Sequence, residues 1–150
     1  MKARVYDELL FRHWDSWEDG KRSHVFTWRP GDAVAVDLMR AMDADSPTAP
    51  FGGVEEIAIA PRGDVVAFTA KNVGREAAWS TNGDVWVAPV DGSSQPLNWT
   101  EANKALDGSP AFAPQGIAPP GSPWRAPATN RTSKRSWSAS SRAPRATASP

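Results

Sequence analysis

The sequence predicts an all-β fold: a partial β-propeller of WD40-like, four-stranded antiparallel blades, preceded by a short N-terminal helix and followed by a disordered C-terminal tail. Three observations predict it. Period-2 alternation of apolar residues marks several short strands within residues 54–100. Turn signals separate them, at Pro61-Arg62-Gly63-Asp64 and at Asp91-Gly92. The turn Ala60-Pro61-Arg62-Gly63 also returns as Ala113-Pro114-Gln115-Gly116, 53 residues on. Repeats of roughly 40–50 residues with four strands each favour propeller blades over a sandwich.

Taken in order, Val5, Leu9, Leu10, Trp14 and Trp17 fall close to the spacing of one helix face, and Asp19-Gly20 supplies a stop. This predicts an amphipathic helix over residues 5–17 with Asp7, Glu8, Arg12 and Asp15 on its polar side. His24-Val25-Phe26-Thr27-Trp28 is β-branched and aromatic and is closed by Pro30-Gly31, so it reads as a strand. From Gly31 to Gly53 the aspartates and Pro47 and Pro50 predict a long connection with little regular structure. The meander then begins. Ile57–Ala60 and Val65–Thr69 form a hairpin, Asp84–Val90 is the third strand, and Gln95–Thr100 is the fourth. Pro96 suits an edge position, because proline cannot donate to a ladder. Open strand edges around Val65–Thr69 and Val85–Val90 are expected to promote self-association.

Charge divides the chain at about residue 116. All 17 acidic residues lie at or before Asp107, so residues 1–116 hold 11 basic against 17 acidic side chains, a net of −6. Residues 117–150 hold Arg125, Arg131, Lys134, Arg135, Arg142 and Arg145 and no acid, a net of +6. After Ile117 there is no Val, Leu, Ile, Met or Phe. Such a composition cannot bury enough surface to offset chain entropy. Its six cations would attract nucleic acid or acidic membranes only nonspecifically and in a salt-sensitive way, so no specific nucleic-acid or membrane partner is expected.

Leu10-Phe11-Arg12-His13-Trp14-Asp15-Ser16-Trp17-Glu18-Asp19-Gly20, followed by Arg22-Ser23-His24-Val25-Phe26, resembles a propeller segment of prolyl oligopeptidase-family (S9) serine peptidases of the dipeptidyl or acylaminoacyl peptidase type. Ala78-Trp79-Ser80-Thr81-Asn82-Gly83-Asp84-Val85-Trp86-Val87 and Pro96-Leu97-Asn98-Trp99-Thr100 are similar to the next blade of the same enzymes. The resemblance covers residues 5–116. That family's usual Ser-Pro-Asp-Gly blade turn is replaced here by Ala-Pro-Arg-Gly and Ala-Pro-Gln-Gly, which keep the backbone-setting Pro and Gly and lose the aspartate brace. Back-translated in the frame displaced by two bases, Trp124 to Lys134 permits Ala-Arg-Pro-Gly-Tyr-Glu-Pro-Asp-Lys-Gln, which also resembles S9 propellers. The tail is therefore expected to be an out-of-frame translation beginning near residues 115–119.

S9 peptidases act by acyl transfer from a serine on a Gly-x-Ser-x-Gly elbow, with a histidine base and an orienting aspartate. No serine in the 150 residues has glycine at both −2 and +2, so no catalytic residue is assigned and the chain is expected to be inactive. His13 and His24 read as structural, and the absence of cysteine removes thiolate chemistry. No cofactor and no metal are expected. The resemblance makes Glu55 and Glu56 candidates for substrate binding, since dipeptidyl peptidases of this family can use propeller glutamates on a substrate's amino terminus. Strand alternation would send the two side chains to opposite faces, which favours solvated charge at a strand entry. Trp79, Trp86 and Trp99 read as packing rather than a ligand platform.

The reading is thus a truncated propeller portion of a serine peptidase whose parent hydrolyses short peptides. It carries about one full blade near residues 54–100 and lacks the catalytic domain. The alternative is a non-catalytic β-meander that binds a peptide or protein by strand addition. No stretch reaches the roughly 18–20 apolar residues of a membrane-spanning helix, and no apolar signal segment follows Met1. A cytoplasmic location is therefore expected for the chain as written.

Overall fold

A computed structural model describes residues 3, 5–7, 9, 11–13, 15–114 and 137–138. They are mostly antiparallel β-structure with two short 3-10 turns, Val54–Glu56 and Gly74–Ala78. The centre is a four-stranded meander of β5 (Ile57–Ile59), β6 (Val65–Ala70), β7 (Asp84–Pro89) and β8 (Leu97–Asn98), in that spatial order. Four two-stranded or longer sheets account for all described strands: the meander and three pairs, β1 (Arg12–His13) with β2 (Ser16–Trp17), β3 (Phe26–Thr27) with β4 (Val36–Asp37), and β9 (Pro110–Ala111) with β10 (Trp137–Ser138). The described residues close no barrel and no propeller ring.

Alternation along β6 sends its side chains to both faces, and Val66 to Ala70 are all buried. Val66, Phe68 and Ala70 share one face. In register, Phe68 lies between Ile57 and Trp86, and Val66 between Ile59 and Ala88. This face is covered by Val25, Leu38, Met39, Met42 and Ala44, which complete the core. Ala67 and Thr69 point the other way and are covered by residues 99–112, C-terminal to the sheet. Ala67, Val85 and Val87 share a small cavity of about 30 Å³ with Trp99, Pro110 and Phe112, and Gly108 lies against Thr69. The central sheet is thus clasped by the segment before it and the segment after it.

The 31–53 connection has the predicted shortage of regular structure, but it is also half of the core. Leu38 N donates to Val25 O (3.0 Å) and Ser46 N to Ser23 O (2.8 Å), so the connection is laced to residues 23–25 beside it, while Thr27 Oγ1 donates to Val90 O (2.6 Å) and ties that strand to the residue after β7. The β7–β8 turn explains one glycine. Gly92 has φ +65°, and a Cβ there would sit 2.5 Å from Val36 Cγ1.

Two expectations are corrected. No helix forms among the described residues of 5–17; β1 and β2 make an antiparallel hairpin, with Arg12 opposite Trp17. The rings of Tyr6, Phe11 and Trp17 stack at centroid distances of 4.9 to 5.9 Å, and the Arg12 guanidinium lies 5.6 Å from the Trp17 ring. Aromatic side chains lose rotamer freedom in a helix and gain cross-strand contacts in a ladder, so the ladder wins over the i, i+4 spacing. The strands at Val65–Thr69 and Val85–Val90 are not edges either. They are the two central strands, and the edges are β5 and β8. The expected disorder and displaced frame of the tail, and Gln115-Gly116 of the repeated turn, lie outside the described residues; within that tail only Trp137 and Ser138 are described, paired in parallel with Pro110 and Ala111.

At the Asp91-Gly92 turn, the Ser93 hydroxyl and then its backbone amide, whose N lies 3.0 Å from Asp91 Oδ1, hold the Asp91 carboxyl below its ordinary value. A carboxyl lowered on folding adds stability above its unfolded pKa, and that stability is lost as pH falls through the lower folded value. Ser93→Ala is expected to move the Asp91 midpoint upward, read by NMR titration of its side-chain carboxyl carbon; an unmoved midpoint would show that the hydroxyl is idle.

Candidate functional site

A cleft of about 950 Å³ opens between the N-terminal hairpin, the 43–50 stretch and the 71–78 stretch, with Tyr6, Phe11 and Arg12 on one wall and Asp43, Lys71 and Arg75 on the others. Arg22 is its electrostatic hub. Its Nε is 2.7 Å from Asp43 Oδ1, and its Nη1 is 3.4 Å from Asp45 Oδ2 and 3.8 Å from Glu18 Oε2. The bond to Asp43 raises the guanidinium pKa above its ordinary value; burial, the next-largest effect, opposes it, and the charges of Asp43, Asp45 and Glu18 add to the rise. Asp45 is also fixed by the Ser23 amide at 2.7 Å. These bonds join residues 18–23 to residues 43–46, and because the groups are half-exposed they fix geometry more than they add stability.

Glu55 and Glu56 do not line this cleft. Both sit in the 3-10 turn before β5. Glu55 is exposed, whereas Glu56 turns inward, its Oε2 accepting from Thr48 N (2.6 Å) and its Oε1 from Thr48 Oγ1 (2.8 Å). The pair is divided between solvent and a backbone clamp. Of the three tryptophans, Trp86 packs against the core and donates Nε1–H to Ala70 O (3.3 Å), and Trp99 lines the small cavity. Trp79 is 67% exposed, which corrects the packing expectation there.

Sequence reasoning read His24 as structural but did not find its partner, Asp37. The His24 Nδ1 lies 2.9 Å from Asp37 Oδ2, while Asp37 Oδ1 accepts from Met39 N (2.8 Å). An oriented histidine serves catalysis only if its other nitrogen meets a nucleophile. His24 Nε2 is buried with no partner among the described residues, and the same holds for the buried Ser46 hydroxyl. The pair ties His24, two residues before β3, to β4. Alternation in Ala33-Val34-Ala35-Val36 was the signal that could have placed Asp37 across from Phe26. His13 lies in β1. Among the described residues no group of three or more His, Asp or Glu is placed to hold a metal, and no helix is long and apolar enough to cross a membrane.

Curated proteins do match. Dipeptidyl-peptidase 5 of Trichophyton equinum is 32% identical over 131 residues, covering 76% of this chain and 18% of the relative. The chain is a homologue of the dipeptidyl-peptidase 5 proteins. Dipeptidyl-peptidase 5 of Aspergillus fumigatus is 32% identical over 133 residues, with the same coverage. That of Porphyromonas gingivalis is 27% identical over 118 residues, or 76% of this chain and 17% of the relative. These matches agree with the S9 resemblance carried by the Leu10–Gly20 and Ala78–Val87 segments. The chain spans less than a fifth of the length of the curated relatives it matches. No family profile and no solved structure matches it.

Proposed function

We propose that this polypeptide is a propeller portion of a dipeptidyl-peptidase-like serine peptidase: one blade with pieces of two neighbours, serving in the intact enzyme to confine access to small peptides and holding no catalytic group of its own. One observation carries the reading. The four-stranded sheet has both faces buried, one by residues 25–44 that precede it and the other by residues 99–113 that follow it. A stacked repeat has that arrangement, since each unit buries its faces only against its neighbours. The open edges β5 and β8 then give the isolated chain a tendency to self-associate. The rival reading, a strand-accepting module, draws on the parallel pairing of Trp137 and Ser138 with Pro110 and Ala111.

The deciding measurement is the nucleotide sequence of the locus, with an activity assay beside it. The frame displaced by two bases beyond codon 115 is expected to encode further propeller and, downstream, a Gly-x-Ser-x-Gly elbow. An early stop in that frame, with nothing related after it, would overturn the reading. The purified chain is expected to release no dipeptide from an alanyl-dipeptide reporter. Release that a serine-directed phosphonate abolishes would show that it carries its own catalytic group.

A further inference from the structure

Asn82 is the one asparagine in the chain followed by glycine; Asn72, Asn98, Asn103 and Asn130 precede Val, Trp, Lys and Arg. Glycine leaves the backbone nitrogen that follows an asparagine side chain sterically open. We infer that Asn82-Gly83 is a self-modification site, closed while residues 98–107 lie against the start of β7 and opened when that segment lifts. Reaction there makes the lifting permanent.

The closed state holds both reacting groups. Gly83 is buried; its N–H donates to Thr81 O (3.0 Å) and its carbonyl accepts from Asp107 N (2.7 Å). The Leu106 side chain lies over it, with Cδ1 2.7 Å from where a Cβ would stand. The Asn82 amide nitrogen, in the orientation that satisfies both ends of the side chain, donates to Asn103 O (2.9 Å) and Ala105 O (3.2 Å). The other orientation offers only a 3.5 Å contact with Asp84 Oδ2. The segment is fastened by Trp99 N on Val85 O (2.9 Å) and by Thr100 Oγ1, which accepts from Val85 N (3.0 Å). Lifting it frees the Asn82 side chain and the Gly83 amide together.

Once free, the deprotonated Gly83 nitrogen attacks Asn82 Cγ. The new N–Cγ bond closes a five-membered imide, the Cγ–N bond of the side-chain amide breaks, and that nitrogen leaves with the proton as ammonia. Water then opens the ring at either carbonyl, giving aspartate or isoaspartate, with no change of oxidation state. Neither product restores the closed state. A carboxylate cannot donate to the Asn103 and Ala105 carbonyls, and it brings a second negative charge beside Asp84. Asp84 is 4% exposed and is held by neutral donors, Asn98 Nδ2 at 3.0 Å and Thr100 Oγ1 at 3.3 Å. Like charge next to a buried carboxylate is unfavourable, and isoaspartate also lengthens the main chain ahead of β7.

The test incubates the full chain at mildly alkaline pH, in buffer and in urea, with peptide mass spectrometry reading amide-to-acid conversion at each asparagine. Conversion at Asn82 is expected to be the fastest of the five in urea and more than about tenfold slower in buffer, the ratio reporting how seldom the segment opens. Thr100→Ala, which removes one fastening, should speed Asn82 in buffer while Asn72 keeps its rate. If that variant unfolds, as circular dichroism would reveal, Asn82→Asp is the second arm. Its Asp107 amide should exchange with deuterium faster than in the wild-type chain. Equal Asn82 rates in buffer and urea would overturn the gating, and wild-type exchange at Asp107 in Asn82→Asp would overturn the permanence.

Discussion

Replacing Phe68 by alanine is expected to abolish the cooperative fold. Phe68 has 0% exposure in the middle of the central strand, between Ile57 and Trp86 in register and beneath the 36–44 segment. Truncating a buried phenylalanine costs about 3–5 kcal/mol, lost transfer energy plus a cavity that rigid neighbours do not fill. A small domain has about 5–15 kcal/mol in total, and one with two open sheet edges belongs near the bottom of that range. Urea denaturation followed by far-ultraviolet circular dichroism should show a sloping, uncooperative curve. Ile59→Ala, two residues from Ile57 in β5 but 64% exposed, is the control and should stay within about 0.5 kcal/mol of wild type. If the two variants melted alike, β6 would not be the core strand.

The meander was legible because its signals are local. Alternation in Val65–Thr69 and Asp84–Val90 and the glycines at 63 and 92, both with positive φ, fix strand and turn without help from distant residues. The proline before β8 correctly marked an edge. The cover over the sheet was not legible. Leu38, Met39 and Met42 lie in and around turns with no period of 2 or 3.6, and their burial comes from where the chain crosses the sheet. The cleft is similar. Glu18 and Arg22 stand four apart and could be paired on paper, but Asp43 and Asp45 reach Arg22 from 21 and 23 residues away. The misread helix shows the converse, a helical spacing that exists in the sequence and loses to aromatic contacts across a hairpin.

Met39 gives the sharpest test of that hidden half of the core. It is fully buried, its N–H donates to Asp37 Oδ1 (2.8 Å) and its carbonyl accepts from Met42 N (2.7 Å), so the backbone is fixed whatever the side chain. The sulphur accepts from Val25 N at 3.4 Å, leaving a buried amide dependent on a weak acceptor. Met39→Ala should therefore cost about 2–5 kcal/mol from the lost volume. Leaving the Val25 donor unpaired adds about 1–3 kcal/mol if nothing replaces the sulphur. Met39→Leu keeps the volume and removes the sulphur, and volume-conserving swaps usually cost less than about 1.5 kcal/mol. Urea midpoints of the two variants separate the contributions: the leucine variant reads the sulphur contact, and the difference between leucine and alanine reads the packing. An alanine variant within about 1 kcal/mol of wild type would mean that the 36–44 segment lies on the sheet without holding it. The sheet would then need another cover on that face, and the two-sided burial behind the blade reading would fail.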